Sequence, residues 1–245
     1  MSINTSSLIA QHASSISRSR CAACGGELGA TYYSLPDRPD YYCSSCIATR
    51  PRCSSCSAPL GDQHWRLHDG RLQCGRCHAT AIYDAYEAEE LYRFTLGAIV
   101  AQLGLLLTQP IAFQLIDMPA MADLRQKSSQ PHSADEQVLG LYYQHGYERA
   151  IYMLHGLPKL LFRTVVAHEY AHAWQAEACP NLRDEGLREG FAEWVAYRHL
   201  SYLGCVKAAQ QMLRAQHPYR PFLEHMLERE QREGPMGVMR YVSRV

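Results

Sequence analysis

No sign of charge dominates this chain. Lysine plus arginine number 24 and aspartate plus glutamate number 24, so the formal net charge is +0 and the pI is about 7.2. That balance excludes the broad basic footprint of a nucleic-acid binder and a polybasic membrane anchor. Long apolar runs are also missing. The longest, "FTLGAIVAQLGLLL" from Phe94 to Leu107, is shorter than a bilayer span and is interrupted by Gln102. The first twenty residues are polar and Ser-rich, with no basic stretch followed by an apolar one, so no signal peptide is expected there. These absences lead to the expectation of a soluble, cytoplasmic protein with no nucleic-acid or membrane partner and a disordered segment over 1–20. Oligomeric state leaves no mark in the sequence. The 245 residues fit one or two domains.

Cysteine, by contrast, is abundant and clustered. Eight of the 10 cysteines fall between Cys21 and Cys77 as four CxxC pairs: Cys21/Cys24, Cys43/Cys46, Cys53/Cys56 and Cys74/Cys77. In a reducing compartment such pairs mean metal rather than disulfides. One CxxC turn supplies two thiolates, and two turns complete a tetrahedral zinc site. Read in order, the first two pairs make one site and the last two the other, a weak internal repeat; sharing between the first and third pairs is the alternative. Closed all-Cys sites leave no position for water, so both zincs are structural. The stretches between the pairs read as hairpins, one around "PDRPD" and one around the Asp69-Gly70 turn. His64, His68 and His78 are additional potential ligands. Arg50, Arg52, Arg66, Arg71 and Arg76 are scattered, which argues against a nucleic-acid-binding knuckle.

After Cys77 the composition turns helical. Residues 79–107 read as one long connecting helix ahead of a second domain over 108–245. Met121 to Gln137 reads as a loop. "VLGLYYQ" and "YERAIYMLHGL" read as paired strands around His145-Gly146. Gly156 and Pro158 then open a helix from Lys159 to Ala178.

That helix carries "VVAHEYAHAW". His168 and His172, four apart, lie on one face one turn from each other and can reach one metal. Glu169 follows the first and is placed to take a proton from a metal-bound water. Two packed or hydrogen-bonded histidines are the plainer reading. It weakens because the helix is apolar at Leu160, Leu161, Val165 and Val166, and a buried helix needs a reason to hold His-Glu-His inside. A third ligand lies in "REGFAEWVAY", where Glu189 and Glu193 sit one turn apart on another helix, and either carboxylate completes a His, His, Glu set. Tyr170, Tyr197 and His199 are the candidate oxyanion donors, with Tyr197 favoured as one turn past Glu193. Trp174 reads as a packing anchor, Cys179 and Cys205 as plain thiols, and Leu227 to Glu233 as a solvated helix face.

The "EGFAE" segment resembles that of gluzincin peptidases, which implies Glu189 as the metal ligand and Glu193 as the residue orienting a histidine. "YMLHGLPKLLFRTVVAHEYAHAW" and "NLRDEGLREGFAEW" resemble the peptidase domain of the DA1 family, whose members join a LIM or LIM-like zinc module to an HExxH metallopeptidase. The cysteine region departs from the usual LIM pattern at Asp40, where a His ligand is common, and in the longer spacer Ile47 to Arg52. The resemblance implies an α+β fold: a LIM-like double zinc module over 21–78, then a mainly helical gluzincin-like domain with a small β-sheet. It implies one catalytic Zn2+ besides the two structural ones, His168, His172 and Glu189 as ligands, Glu169 as catalytic base, and protein substrates, ubiquitin-related ones among them. No acidic helical motif of the ubiquitin-binding kind lies ahead of Cys21. The rival expectation is a zinc-module interaction adaptor with a latent or inactive peptidase domain.

Overall fold

The computed structural model describes residues 9–12, 20–35, 38–127 and 138–245. The chain forms two compact units, Asn4–Ala81 and Ile82–Val245.

In the first unit, β1 (Ile9–His12), β2 (Thr31–Ser34) and β3 (Tyr41–Cys43) form an antiparallel sheet in that order. The pairing of Ile9–His12 with β2 corrects the expectation that 1–20 is disordered; residues 1–8 and 13–19 lie outside the described residues. Helix α1 (Ser44–Thr49) follows β3. The second repeat has a hairpin, β4 (Trp65–Arg66) with β5 (Leu72–Gln73), and then α2 (Gly75–His78). Its turn holds Gly70 at φ 87, a left-handed backbone that glycine tolerates without strain. The repeat is visible in backbone detail. Cys21 and Cys53 each open a knuckle whose amide bonds back across the turn, Cys21 N to Gly26 O at 2.8 Å and Cys53 N to Ala58 O at 2.9 Å. Cys43 and Cys74 each stand as the residue preceding a short helix that holds Cys46 or Cys77. The apolar cores are small: Ala23, Leu35, Tyr42 and Ala58 with two cysteines, and Leu60 with two more.

The second unit begins at Ile82, in β6 (Ala81–Ile82), whose carbonyl accepts the Gly156 amide at 2.6 Å. Helix α3 runs over Ala85–Leu103 rather than 79–107. Asp84 caps it by accepting the Glu87 amide, and Gly104, left-handed at φ 68, ends it. It is no bridge: Ala88, Tyr92, Ile99 and Leu103 belong to the core of this unit. Strand β7 (Ala112–Ile116) leads into α4 (Met118–Lys127), which replaces the first part of the loop expected over 121–137. The remainder, 128–137, lies outside the described residues.

Strands β8 (Gly140–His145) and β9 (Glu148–Leu154) form the expected hairpin, and β7 adds to β9 in parallel, giving the order β7-β9-β8. After β10 (Leu157–Pro158), α5 covers Lys159–Ala178, the span expected, with Pro158 just ahead of its first turn. Helix α6 (Glu185–Tyr202) is capped by Asp184, which accepts the Leu187 amide at 2.8 Å. Helices α7 (Val206–Arg214) and α8 (Arg220–Val242) complete the unit, α8 being broken at Gly234 (φ 69). Phe222 fills the space over Gly186 and Gly190, where any Cβ would overlap it. On α8, Glu230 does not face solvent as the charge pattern suggested. It accepts the buried Trp194 indole N–H at 2.8 Å and pairs with Arg198. The fold is α+β: an N-terminal module with two four-cysteine groups, then a mainly helical domain with a small sheet.

Candidate functional site

Helix α5 is buried on nearly all sides. Phe162, Val165, Val166, Ala167 and Ala171 are fully enclosed, and so are His168 and Glu169. Polar groups held in such a place need partners. The partners come from α6. The Nε2 atoms of His168 and His172 are 3.1 Å apart. Glu189 Oε2 lies 3.3 Å from the first and Oε1 3.4 Å from the second. Three ligands arranged tetrahedrally about a zinc at 2.0–2.1 Å would stand roughly 3.3–3.4 Å from one another. The two ring nitrogens are near that spacing and Glu189 presents one oxygen to each ring, so the donor set is compatible with a zinc ion.

The surroundings orient those donors. His172 Nδ1 lies 3.0 Å from Gln175 Oε1, and the Gln175 amide N–H in turn donates to the Arg188 carbonyl at 3.0 Å. A proton on Nδ1 leaves the Nε2 lone pair facing Glu189 and His168. Glu193, one turn beyond Glu189, stands on the other side of His168, with Oε1 3.5 Å from Nδ1. Burial works against charge on Glu189, but His172 and His168 outweigh it and hold the carboxyl well below its usual range. In the same way burial opposes protonation of His172, and Glu189 overcomes it, so that its pKa is raised.

Glu169 turns toward the sheet. Its Oε2 accepts the Tyr142 amide of β8 at 2.9 Å. Among the described residues β8 bonds to β9 alone, so that amide lies on the side of β8 away from β9. The strand comes this close because position 140 is glycine. A Cβ there would sit 2.5 Å from Val165 Cγ1 and 3.1 Å from Glu169 Cγ. Arg149 of β9 ties the hairpin to α5. It bonds the Tyr142 hydroxyl at 3.1 Å, the Ala173 carbonyl at 3.3 Å and the Glu177 carboxylate. Sequence reading missed Gln175, Arg149 and Glu177, since each acts through a partner distant in the chain. Only the Gly140 signal, a glycine inside a β-prone run, was open to notice.

The three proposed oxyanion donors separate. The Tyr170 hydroxyl is committed to the Leu105 carbonyl at 2.7 Å. His199 is buried, with neither ring nitrogen hydrogen-bonded. Tyr197 is half-buried on α6, about 12 Å along the axis from Glu189, and the structure does not bring it into contact with the three donors. Trp174 stacks on Phe191 at 5.3 Å, as a packing anchor does. Cys179 is buried beside Ser243, and burial raises its thiol pKa.

The cysteines gather in chain order: Cys21, Cys24, Cys43 and Cys46 in one group, Cys53, Cys56, Cys74 and Cys77 in the other. Sulfur separations of 3.9 Å for Cys24–Cys43 and 3.8 Å for Cys56–Cys74 match the edge of a tetrahedron with Zn–S bonds near 2.3 Å, roughly 3.8 Å. Burial opposes a Cys21 thiolate, but the amides of Cys43, Cys24 and Ala23 bring its pKa down to about 6. Cys53 falls to about 6 as well, chiefly through Cys56. Thiolates of this kind are what a metal requires. His64 bonds the Gly61 carbonyl and His78 stacks on Trp65; neither these nor His68 joins a group.

These features define a class: an N-terminal pair of four-cysteine groups, each able to hold a metal, followed by a helical domain that gathers His, His and Glu from two helices. Within that class the chain is similar to proteins of the DA1 family. It is 28% identical over 167 residues to Protein DA1-related 1 of Arabidopsis thaliana, covering 55% of this chain and 30% of that protein. It is 24% identical over 189 residues to Protein DA1 of the same plant, covering 64% and 34%. With Protein DA1-related 2 it shares 27% over 170 residues, covering 56% and 32%. The chain thus spans about a third of the length of these relatives. No family model and no solved structure matches it.

Proposed function

We propose that this chain is a zinc-dependent peptidase that hydrolyses peptide bonds in protein substrates, with Glu169 as general base. The observation that carries the reading is the convergence of His168, His172 and Glu189 at spacings that a zinc ion could bridge, with the Glu169 carboxylate on the Tyr142 amide of β8. Zinc held by the three donors would lower the pKa of a bound water and polarise the scissile carbonyl. The protein's own groups do the rest. Glu169, fixed by the Tyr142 amide, takes the proton of the attacking water and returns it to the leaving amine. The edge of β8 offers backbone groups to an extended substrate chain. Glu193 and Gln175 hold the two rings in the orientation that points Nε2 inward. Tyr197 is the donor retained for the oxyanion, since its hydroxyl makes no hydrogen bond among the described residues. The substrate class follows the family reading, with ubiquitin-related proteins first to be tried, and the two four-cysteine groups are read as structural zinc sites.

The test has two parts. Zinc per chain is measured by mass spectrometry in the native protein and in His168→Ala/His172→Ala; a fall from about three to about two is expected from four-donor accounting. Glu169→Gln should then keep its zinc and lose hydrolysis of a quenched-fluorescent peptide library. About two zincs in both proteins would leave the helix motif without metal and favour an adaptor built on the zinc module. Full activity in Glu169→Gln would remove that residue from the reaction.

A further inference from the structure

One charged side chain on α5 has no part in the metal group. Arg163 lies five residues before His168, roughly 140° around the helix from it. Its Nε is buried without a hydrogen-bond partner, and no acidic side chain pairs with it among the described residues. Burial pushes its pKa down. Beside it on α6 stands His199, 1% exposed, with both ring nitrogens unbonded. Burial first, and the Arg163 charge second, hold His199 at a pKa of about 4, so of these two residues Arg163 carries the charge.

Arg163 opens into a groove of about 540 Å³ between α3, α5 and α6. Phe94 and Tyr202 wall it, exposed to 75% and 61%. Gly97, Ala98 and Ala101 form its floor, and a Cβ at Gly97 would meet nothing within 4 Å. Arg93, also at the rim, is already paired with Glu89. A half-buried guanidinium without a counter-charge is unfavourable to the folded state, and exposed aromatics at the same place mark a surface that receives something.

We propose that this groove docks an extended peptide segment bearing a carboxylate side chain next to an aromatic one, with Arg163 taking the carboxylate. The α3 wall extends from Arg93 to Ala101, about 12 Å along the helix, which suits three to four extended residues. A segment running through a groove of that length places a side-chain carboxylate, rather than a chain end, at Arg163. The aromatic neighbours pack on Phe94 and Tyr202, and the small α3 residues let the peptide backbone approach. The site is independent of the metal group and of the peptidase reading.

The test uses the full zinc-loaded chain with the Glu169→Gln substitution, which prevents cleavage. Fluorescein-labelled Gly-Phe-Glu-Phe-Gly-amide is titrated by fluorescence anisotropy. Saturable binding is expected, weakened about tenfold or more when the peptide Glu becomes Gln or when Arg163 becomes Gln, as loss of a charge-assisted hydrogen bond implies. Gly97→Leu, a better helix former that fills the groove, should abolish binding while the protein stays folded. Arg163→Gln should leave the melting temperature unchanged or raised. No saturable binding, equal binding of the Glu and Gln peptides, or retention in Gly97→Leu would overturn the proposal. So would a lowered melting temperature in Arg163→Gln, which would make the arginine structural. Binding lost in His168→Ala/His172→Ala but kept in Arg163→Gln would place the peptide at the metal group instead. Preference for Gly-Phe-Gln-Phe-Gly with a free C-terminal carboxylate would replace the side-chain reading by a chain-end one.

Discussion

The His199 ring is neutral at pH 7, and the fold keeps it so. Its folded pKa of about 4 lies below the ordinary value of about 6.5. Between those values the unfolded chain takes up a proton that the folded chain refuses. The stability tied to this residue is therefore full above about pH 6.5 and is lost as pH falls toward about 4, amounting to about 2 kcal/mol by pH 5. His199→Leu should remove that part of the acid dependence. The check is the urea midpoint of both proteins at pH 7 and pH 5, and identical acid slopes would sink the idea. Arg38 is a second residue whose role shows only in three dimensions. Its guanidinium donates to Cys74 Sγ at 3.5 Å and to Cys77 Sγ at 3.4 Å. Burial works against its charge, but the Cys56, Cys74 and Cys77 thiolates outweigh this and raise its pKa. A zinc site of four thiolates carries excess negative charge, and bonds to its sulfurs hold the ligands in place. Arg38→Met should speed zinc loss to a chromogenic chelator by roughly tenfold or more. Arg38→Lys should recover part of the effect, since lysine brings the charge without the two-pronged geometry. Unchanged release in Arg38→Met would reduce the arginine to a surface contact.

At the scale of elements, the same substitution should have opposite signs in two places. Gly140→Ala drives a methyl into Val165, Met153 and the Glu169 Cγ. The expected cost is about 1–3 kcal/mol by overpacking, with loss of peptide hydrolysis because β8 no longer sits against Glu169. Gly97→Ala on the open side of α3 meets nothing and should stabilise by about 0.5–1 kcal/mol. Chemical denaturation of the two variants decides both signs. What the sequence made legible among the elements follows from locality. Helix α5 runs over the expected residues because its apolar spacing and Pro158 are local signals. The hairpin β8–β9 was readable from its strands and from Gly146, which holds φ 58 in the turn. The CxxC spacing fixed both cysteine groups for the same reason. Strand β7 escaped because it is five residues long and pairs in parallel with a strand more than thirty residues on. Ile9–His12 escaped because four residues carry too short a pattern to mark a strand, and its pairing with β2 is non-local. The ends of α3 were misjudged because an Asp cap and a left-handed glycine outweighed the continuing helix formers on either side. In the site, the choice between Glu189 and Glu193 was open to spacing alone. The structure separates them, one carboxylate among the Nε2 atoms and the other behind His168.

For the molecule as a whole, the two units rest on different sources of stability. The second has a continuous core from Ile82 to Val242, with Phe162, Phe191, Trp194 and Met153 fully enclosed. Burial of that kind is enough for a domain of its length to fold without a cofactor. The first unit encloses only a handful of apolar side chains, and four of the nine buried residues in its two clusters are cysteines. A module with so little apolar burial depends on metal for its folding free energy. Removal of zinc by a strong chelator under reducing conditions should therefore melt the first unit and leave the second. Helices α1 and α2 hold 6 and 4 residues, whereas α5 and α8 alone hold 20 and 23. The far-ultraviolet circular dichroism should accordingly keep most of its helical signal after chelation. Limited proteolysis should cut the stripped chain ahead of Ile82 and spare a fragment that runs to the C-terminus. If most of the helical signal vanished together with the metal, the second unit would not be stable on its own core, and the separation of roles drawn between the units would fail.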